Sequence, residues 1–392
     1  MNSVCIGKKN IKKLLFINFI TMVAFNMAHP VTPMLINELG LPSYMFGVLF
    51  SFMALANFIM SPIWGSLSDQ RGRKRFLVLG VVGYGISQIG FGYSTNIVAI
   101  LIFRLMGGAL SVCFVTTAVA YMTDLSSTEE RVKYLSYHAA SIAIGSSFGA
   151  LLGGSIGQNN YHYTFLAQGI MCFIISGIIL LLVKETVKPS SDKLSIYFKH
   201  LKPSRTFIDF KTVIGSMIMV MTLMTITTTA YNSTINYYIE SVLHMPSTVN
   251  GIVMAIAGII ALGMNLLVNP YLGKKFNEYK SIQCTTLLTG VAILIASTTN
   301  HIAVSLTFLI IFIAGSSLVV PMQQSIVSKL AKENYGEVMG IQGSAKALGM
   351  IIGSLTAGFI FMIGNRLPFV FAGICALLAY GVITGLNHKQ KK

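Results

Sequence analysis

The chain is poor in charge. Asp, Glu, Lys and Arg make up 10% of its 392 residues, against about 25% in soluble globular chains. Acids are scarcest, 12 against 28 Lys and Arg. A water-exposed surface cannot be built from so little charge, and a mean hydropathy of +0.72 makes lipid the fitting solvent. The five cysteines (Cys5, Cys113, Cys172, Cys284, Cys375) are scattered, with no metal-ligand or disulfide spacing, so they read as small core residues. The seven histidines show no zinc spacing, and no Ser-His-Asp set shares a depth. Metal chemistry and membrane-embedded catalysis are therefore not expected.

What the chain has is long apolar runs. Twelve of them, at 14–36, 44–67, 76–94, 97–123, 134–157, 163–183, 212–236, 248–272, 281–299, 302–326, 337–363 and 366–387, each suffice for a helix of about 20 residues to cross a bilayer. The first follows Lys8, Lys9, Lys12 and Lys13, but it is too long for a signal peptide and too many spans follow. The net charge of +16 does not point to nucleic acid, because the cations sort by side. All but three of the 28 lie before span one, in the even-numbered loops, or after span twelve. Arg366 is in an odd loop, while Arg104 and Lys346 lie inside spans. Positive loops stay cytoplasmic, so the expected protein is multi-pass with both termini in the cytoplasm.

The sixth loop, 184–211, is the longest and most charged. It reads as a linker between a six-helix half at 1–183 and another at 212–392. Leu194, Ile196, Tyr197 and Phe198 interleave with lysines there, as in segments that lie on a membrane surface. An offset of 204 residues carries Gly47 onto Gly251, and Gly145, Gly149 and Gly154 onto Gly349, Gly353 and Gly358. That is the mark of a parallel repeat, a plan in which transporters bind substrate near the midplane.

Between spans two and three stands Gly65-Ser-Leu-Ser-Asp69-Gln-Arg71-Gly72-Arg73-Lys74. A positive-inside loop explains the cations but not Asp69 between two glycines. The segment resembles the signature loop of the major facilitator superfamily. That resemblance implies a twelve-helix, all-α membrane bundle of six plus six, with a central cavity and alternating access. It also implies a cytoplasmic gate in which Asp69 and Arg73 act as a latch, joined by Asp124 and Arg131 after span four. The loop Gly273-Lys-Lys-Phe-Asn-Glu-Tyr-Lys is a degraded copy.

Two further segments resemble the drug–proton antiporter group of that family. Arg104, followed by Gly107 and Gly108 in span four, resembles an arginine linked to proton coupling there. An arginine at that depth costs roughly 2.5–3.5 kcal/mol on insertion scales, although it lies close enough to the outer end to snorkel. Span five carries Gly145, Gly149, Ala150, Gly153 and Gly154, which resembles the group's antiporter motif with Ala150 in place of its proline. The same stripe would let two helices pack closely. Span one contains Asn26, His29, Pro30 and Pro33, and its prolines predict a break.

Multidrug members usually place a carboxylate in the cavity. Here Asn26, Asn232 and Ser317 stand at such positions, and all twelve acids fall in loops or at span ends. Lys346 stands deep in span eleven with no acid near it in sequence. It either pairs with helix carbonyls or meets an anionic substrate. Phe25, Asn26, His29, His138, Tyr231, Asn232, Gln323, Gln324 and Lys346 are the candidate cavity residues.

The expected function is secondary active export of a small amphiphilic or anionic molecule. Multidrug efflux and secretion of a metabolite such as a carboxylate siderophore are the two forms considered. No cofactor is expected beyond a proton gradient, nor any partner beyond substrate and lipid, and a monomer suffices. Import of a sugar or organic acid on the same fold is the alternative.

Overall fold

The computed structural model describes residues 2–187, 212–299, 301–330 and 335–389. Most of the expected linker, 188–211, therefore lies outside the described residues. Among these residues every regular element is a helix, and twelve helical stretches are long and apolar enough to cross a membrane. They are Asn10–Glu38, Met45–Arg71, Arg73–Tyr93, Ile97–Leu125, Lys133–Ile156, Tyr161–Leu182, Val213–Ser241, Ser247–Gly273, Glu278–Thr298, Ala303–Val327, Gly340–Ile363 and Leu367–Leu386, spans one to twelve in order. Leu181, Ile363 and Leu267 are 86%, 80% and 75% exposed. Water would oppose such a surface and acyl chains accept it. The protein is an all-α, multi-pass membrane protein.

Helix starts follow local chemistry. The side chains of Asn96, Ser127, Asn160 and Asn277 each accept a backbone N–H from the first turn of the helix that carries span four, five, six or nine. Span one breaks where its prolines predict. An α-helix ends at Asn26, a 3-10 turn covers His29–Val31, and a short helix runs Thr32–Glu38. Span seven continues to Ser241, past the predicted end at 236, and draws Glu240 into its last turn. Span eight contains a π-helical stretch, Met264–Val268, before Pro270.

The chain divides into two compact units. One takes Met1–Leu41, Phe52–Tyr197 and Ile239–Gly258; the other takes Pro42–Ser51, Phe198–Tyr238 and Ile259–Lys392. The first has a core of Leu14, Ile17, Leu77, Tyr84, Phe114 and Ile175, among others. The core of the second includes Met217, Met224, Leu318, Met322 and Ile383, where flexible thioethers fill irregular gaps.

The duplicated glycines explain why short pieces of spans two and eight join the units they do. In the second unit, a Cβ on Gly47 would strike the Ser354 carbonyl and lie 2.9 Å from Gly358 Cα. In the first, a Cβ on Gly251 would lie 2.6 Å from the Ala150 carbonyl, and one on Gly154 would lie 2.5 Å from that of Ser247. Each pair is a backbone-to-backbone approach that side chains would block.

Candidate functional site

The expected gate residues meet at a one-residue break. Span two ends at Arg71 and span three begins at Arg73. Gly72 between them has φ +97°, a conformation that favours glycine. The reversal turns Arg73 back toward span two. Its side chain is only 8% exposed and forks between two acids. It makes an ion pair with Asp69, while Nε donates to Asp124 Oδ2 at 3.0 Å and Nη1 to Ser68 Oγ at 2.8 Å. A buried cation needs this many partners. Asp124 also accepts the Thr186 hydroxyl at 3.1 Å. Asp69, Arg73 and Asp124 thus come together as one cluster. Arg71 is exposed, and Gly65 has open space beside its Cα. The side chain of Arg131 lies outside the described residues.

Glu185 is the member of this cluster that sequence reasoning missed. Its Oε1 accepts the Arg73 N–H at 2.7 Å and its Oε2 the Lys74 N–H at 3.1 Å. It therefore caps span three from a position 112 residues away, where a carboxylate is favoured by the helix dipole. The Lys74 ammonium donates to the Leu180 carbonyl at 2.7 Å, fixing spans three and six from the other direction. No local pattern around Glu185 announces this. The one available signal was an acid just past the end of span six, on the cation-rich side.

Deeper in the same unit lies a polar interior. Arg104 is 1% exposed, with its guanidinium 5.1 Å from the centre of the Phe91 ring, a cation–π distance. It is therefore enclosed by the bundle. The Tyr84 hydroxyl donates to the Phe25 carbonyl at 2.9 Å, and the Gln168 amide to that of Ala24 at 2.6 Å. Both carbonyls stand just before the break in span one. Phe25 is buried against Tyr84, with ring centroids 4.0 Å apart. His138 is also buried, whereas Asn26 and His29 are half-buried.

The glycine stripe of span five packs on span one. A Cβ on Gly145 would lie 2.6 Å from the Phe19 carbonyl, and one on Gly149 or Gly153 would strike the carbonyl of Val23 or Met27. Ala150 is fully buried. The second unit repeats the arrangement. There Gly349 and Gly353 would meet the carbonyls of Thr222 and Ile226 in span seven, at 2.8 and 2.7 Å. Tyr231 is buried edge-on to Phe312, and the Gln323 amide donates to the Met217 carbonyl at 3.1 Å. Asn232, Gln324 and Lys346 have exposed side chains. Lys346 lies six residues into Gly340–Ile363, about 9 Å deep at 1.5 Å per residue.

The degraded copy of this loop holds an ion pair of its own. Glu278 Oε1 accepts the Lys329 ammonium at 2.6 Å and the Ser325 hydroxyl at 3.0 Å. At the 204-residue offset Glu278 falls on Lys74, and Lys329 falls beside Asp124, so the second pair has reversed polarity.

Comparison with known proteins agrees with this architecture. The family profile of the Major Facilitator Superfamily matches residues 14–353 and, separately, 217–389. Multidrug resistance protein 2 of Bacillus subtilis is 25% identical over 383 residues, covering 95% of this chain and 94% of its own. Quinolone resistance protein NorA of Staphylococcus aureus is 25% identical over 390 residues, covering 98% and 97%. Among solved structures, a bacterial homologue of the human lysosomal transporter Spinster, inward-facing and occupied, superposes with TM-score 0.79 at 14% identity, covering 96% of each chain. The human organic anion transporter MFSD10 gives TM-score 0.69 at 19% identity, covering 96% of this chain and 99% of its own. With twelve membrane-length apolar helices among the described residues and a profile match along nearly its whole length, the chain belongs to the Major Facilitator Superfamily.

Proposed function

We propose that this transporter exports small amphiphilic molecules from the cytoplasm, driven by the proton gradient, and that its physiological substrate is anionic. The observation that carries the export reading is the backbone contact of Gly145, Gly149 and Gly153 with Phe19, Val23 and Met27. It gives a physical role to the stripe that resembles the antiporter motif. The drug-resistance relatives support the same direction. The sorted cations support placing both termini inside, and the drug-resistance relatives support a cell-membrane location. Arg104, enclosed in the first unit, is the residue assigned to coupling.

The anionic substrate rests on charge. The carboxylates of the described residues lie at helix ends or beyond them, while Lys346 is exposed well inside span eleven. A cation at that depth faces a cost that an anionic ligand offsets. The test is deletion in the native host. Intracellular retention of one acidic compound, with unchanged susceptibility to cationic dyes and quinolones, is the expected result. Dye hypersensitivity with an unchanged set of secreted acids would contradict it.

A further inference from the structure

The second unit contains a small cleft that the transport reading does not use. It lies where spans eight and ten end and span nine begins, beside the Glu278–Lys329 pair, and has a volume of about 230 Å³. That is below the usual range for drug-sized ligands, roughly 300–1,000 Å³. Glu278, Ser281, Ser325 and Asn269 supply its polar wall, and Pro321 and Met322 its apolar floor. Glu278 is the one ionisable group among the residues that line it.

Ser281 is the unusual member. It is 8% exposed, and its hydroxyl has no hydrogen-bond partner. Serine and threonine in membrane helices commonly bond back to the carbonyl four residues earlier, and Thr285 and Thr286 in the same span do so at 2.8 and 2.6 Å. Ser281 does not, although the Asn277 carbonyl is near enough to accept its backbone N–H at 2.9 Å. A buried hydroxyl left this way is costly unless something else meets it.

The electrostatics select the ligand's charge. Two helix C-termini and one N-terminus converge here, and a carboxylate stands on the N-terminus, so the local field favours a cation. Every polar side chain of the wall offers an oxygen acceptor. Close by in sequence, Leu266, Leu267, Tyr271 and Phe276 are each more than half exposed.

We propose that this cleft binds a primary ammonium group, with Glu278 as counter-ion and Ser281 and Ser325 as acceptors. Lys329 is the internal competitor, because its own ammonium already occupies Glu278 Oε1. Two sources carry this chemistry: the headgroup of an aminophospholipid, whose chains the exposed Leu266 and Leu267 of span eight would suit, and a soluble amine. The proposal does not depend on what the protein exports.

The test uses the full chain in nanodiscs, with the Met322 methyl group observed by ¹³C NMR and assigned through Met322→Leu. One arm compares pure phosphatidylcholine with an equal mixture of phosphatidylcholine and phosphatidylethanolamine. The other titrates ethanolamine, with choline as a cation that donates no N–H bonds. A saturable shift with phosphatidylethanolamine identifies a lipid site, and one with ethanolamine identifies a soluble-amine site. Either result requires Glu278→Gln to weaken binding roughly tenfold or more and Ser281→Ala several-fold. Lys329→Ala must tighten it by freeing the carboxylate. An equal response to choline overturns the proposal. So does a response that Glu278→Gln and Lys329→Ala change in the same direction, since cleft shape and not charge would then be at work.

Discussion

Arg73 shows why a single side chain can organise the cluster beside Gly72. A lysine would keep the charge but not the planar fork that reaches Asp69, Asp124 and Ser68 together. Glu185 completes the arrangement from the backbone side. Glu185→Gln keeps the size and loses the charge facing two N–H donors, so it should cost about 1 kcal/mol, the usual worth of a helix cap. The thermal midpoint in detergent should fall accordingly, while Arg75→Gln, at an exposed position, should leave it within experimental scatter. Asp69 and Arg73 were legible because acid, glycine and arginine stand within one turn of each other. Glu185 was not, since a cap that arrives from 112 residues away leaves no mark in the local sequence.

The helices show the same division between what is local and what is not. Hydrophobic runs locate the spans to within a few residues, because length and apolarity are local demands of the bilayer. The break in span one was legible from Pro30 and Pro33. The apparent loop at 65–74 was less so. It is helical apart from Gly72, and only the positive φ of that residue turns the chain. The stripe in span five was legible as close packing, but not as packing on span one. Gly149→Ala would drive a methyl group into the Val23 carbonyl. Forcing the two helices apart should cost about 1–3 kcal/mol and reduce transport. Gly177→Ala in span six meets nothing within 4 Å and should instead stabilise its helix by roughly 0.5–1 kcal/mol. Opposite shifts of the detergent thermal midpoint, measured side by side, check this directly.

At the scale of the whole molecule, duplication is the organising fact. Gly145 and Gly149 meet span one as Gly349 and Gly353 meet span seven. Asn37 and Ser241, themselves 204 residues apart, bond to one another at 3.0 Å. The copies differ where function is expected to differ. One copy carries the cation on its odd-numbered span and the other carries the acid. Asn26 and Asn232 stand where the resemblance to the drug-efflux group implies acids, and Lys346 is exposed in span eleven. Everted membrane vesicles test the direction of transport. With an acid-interior proton gradient imposed, proton-driven export requires an anionic amphiphile to accumulate inside them and to leave when the gradient is collapsed. Accumulation only in right-side-out vesicles, driven by protons entering with the solute, would make the protein an importer and contradict the claim.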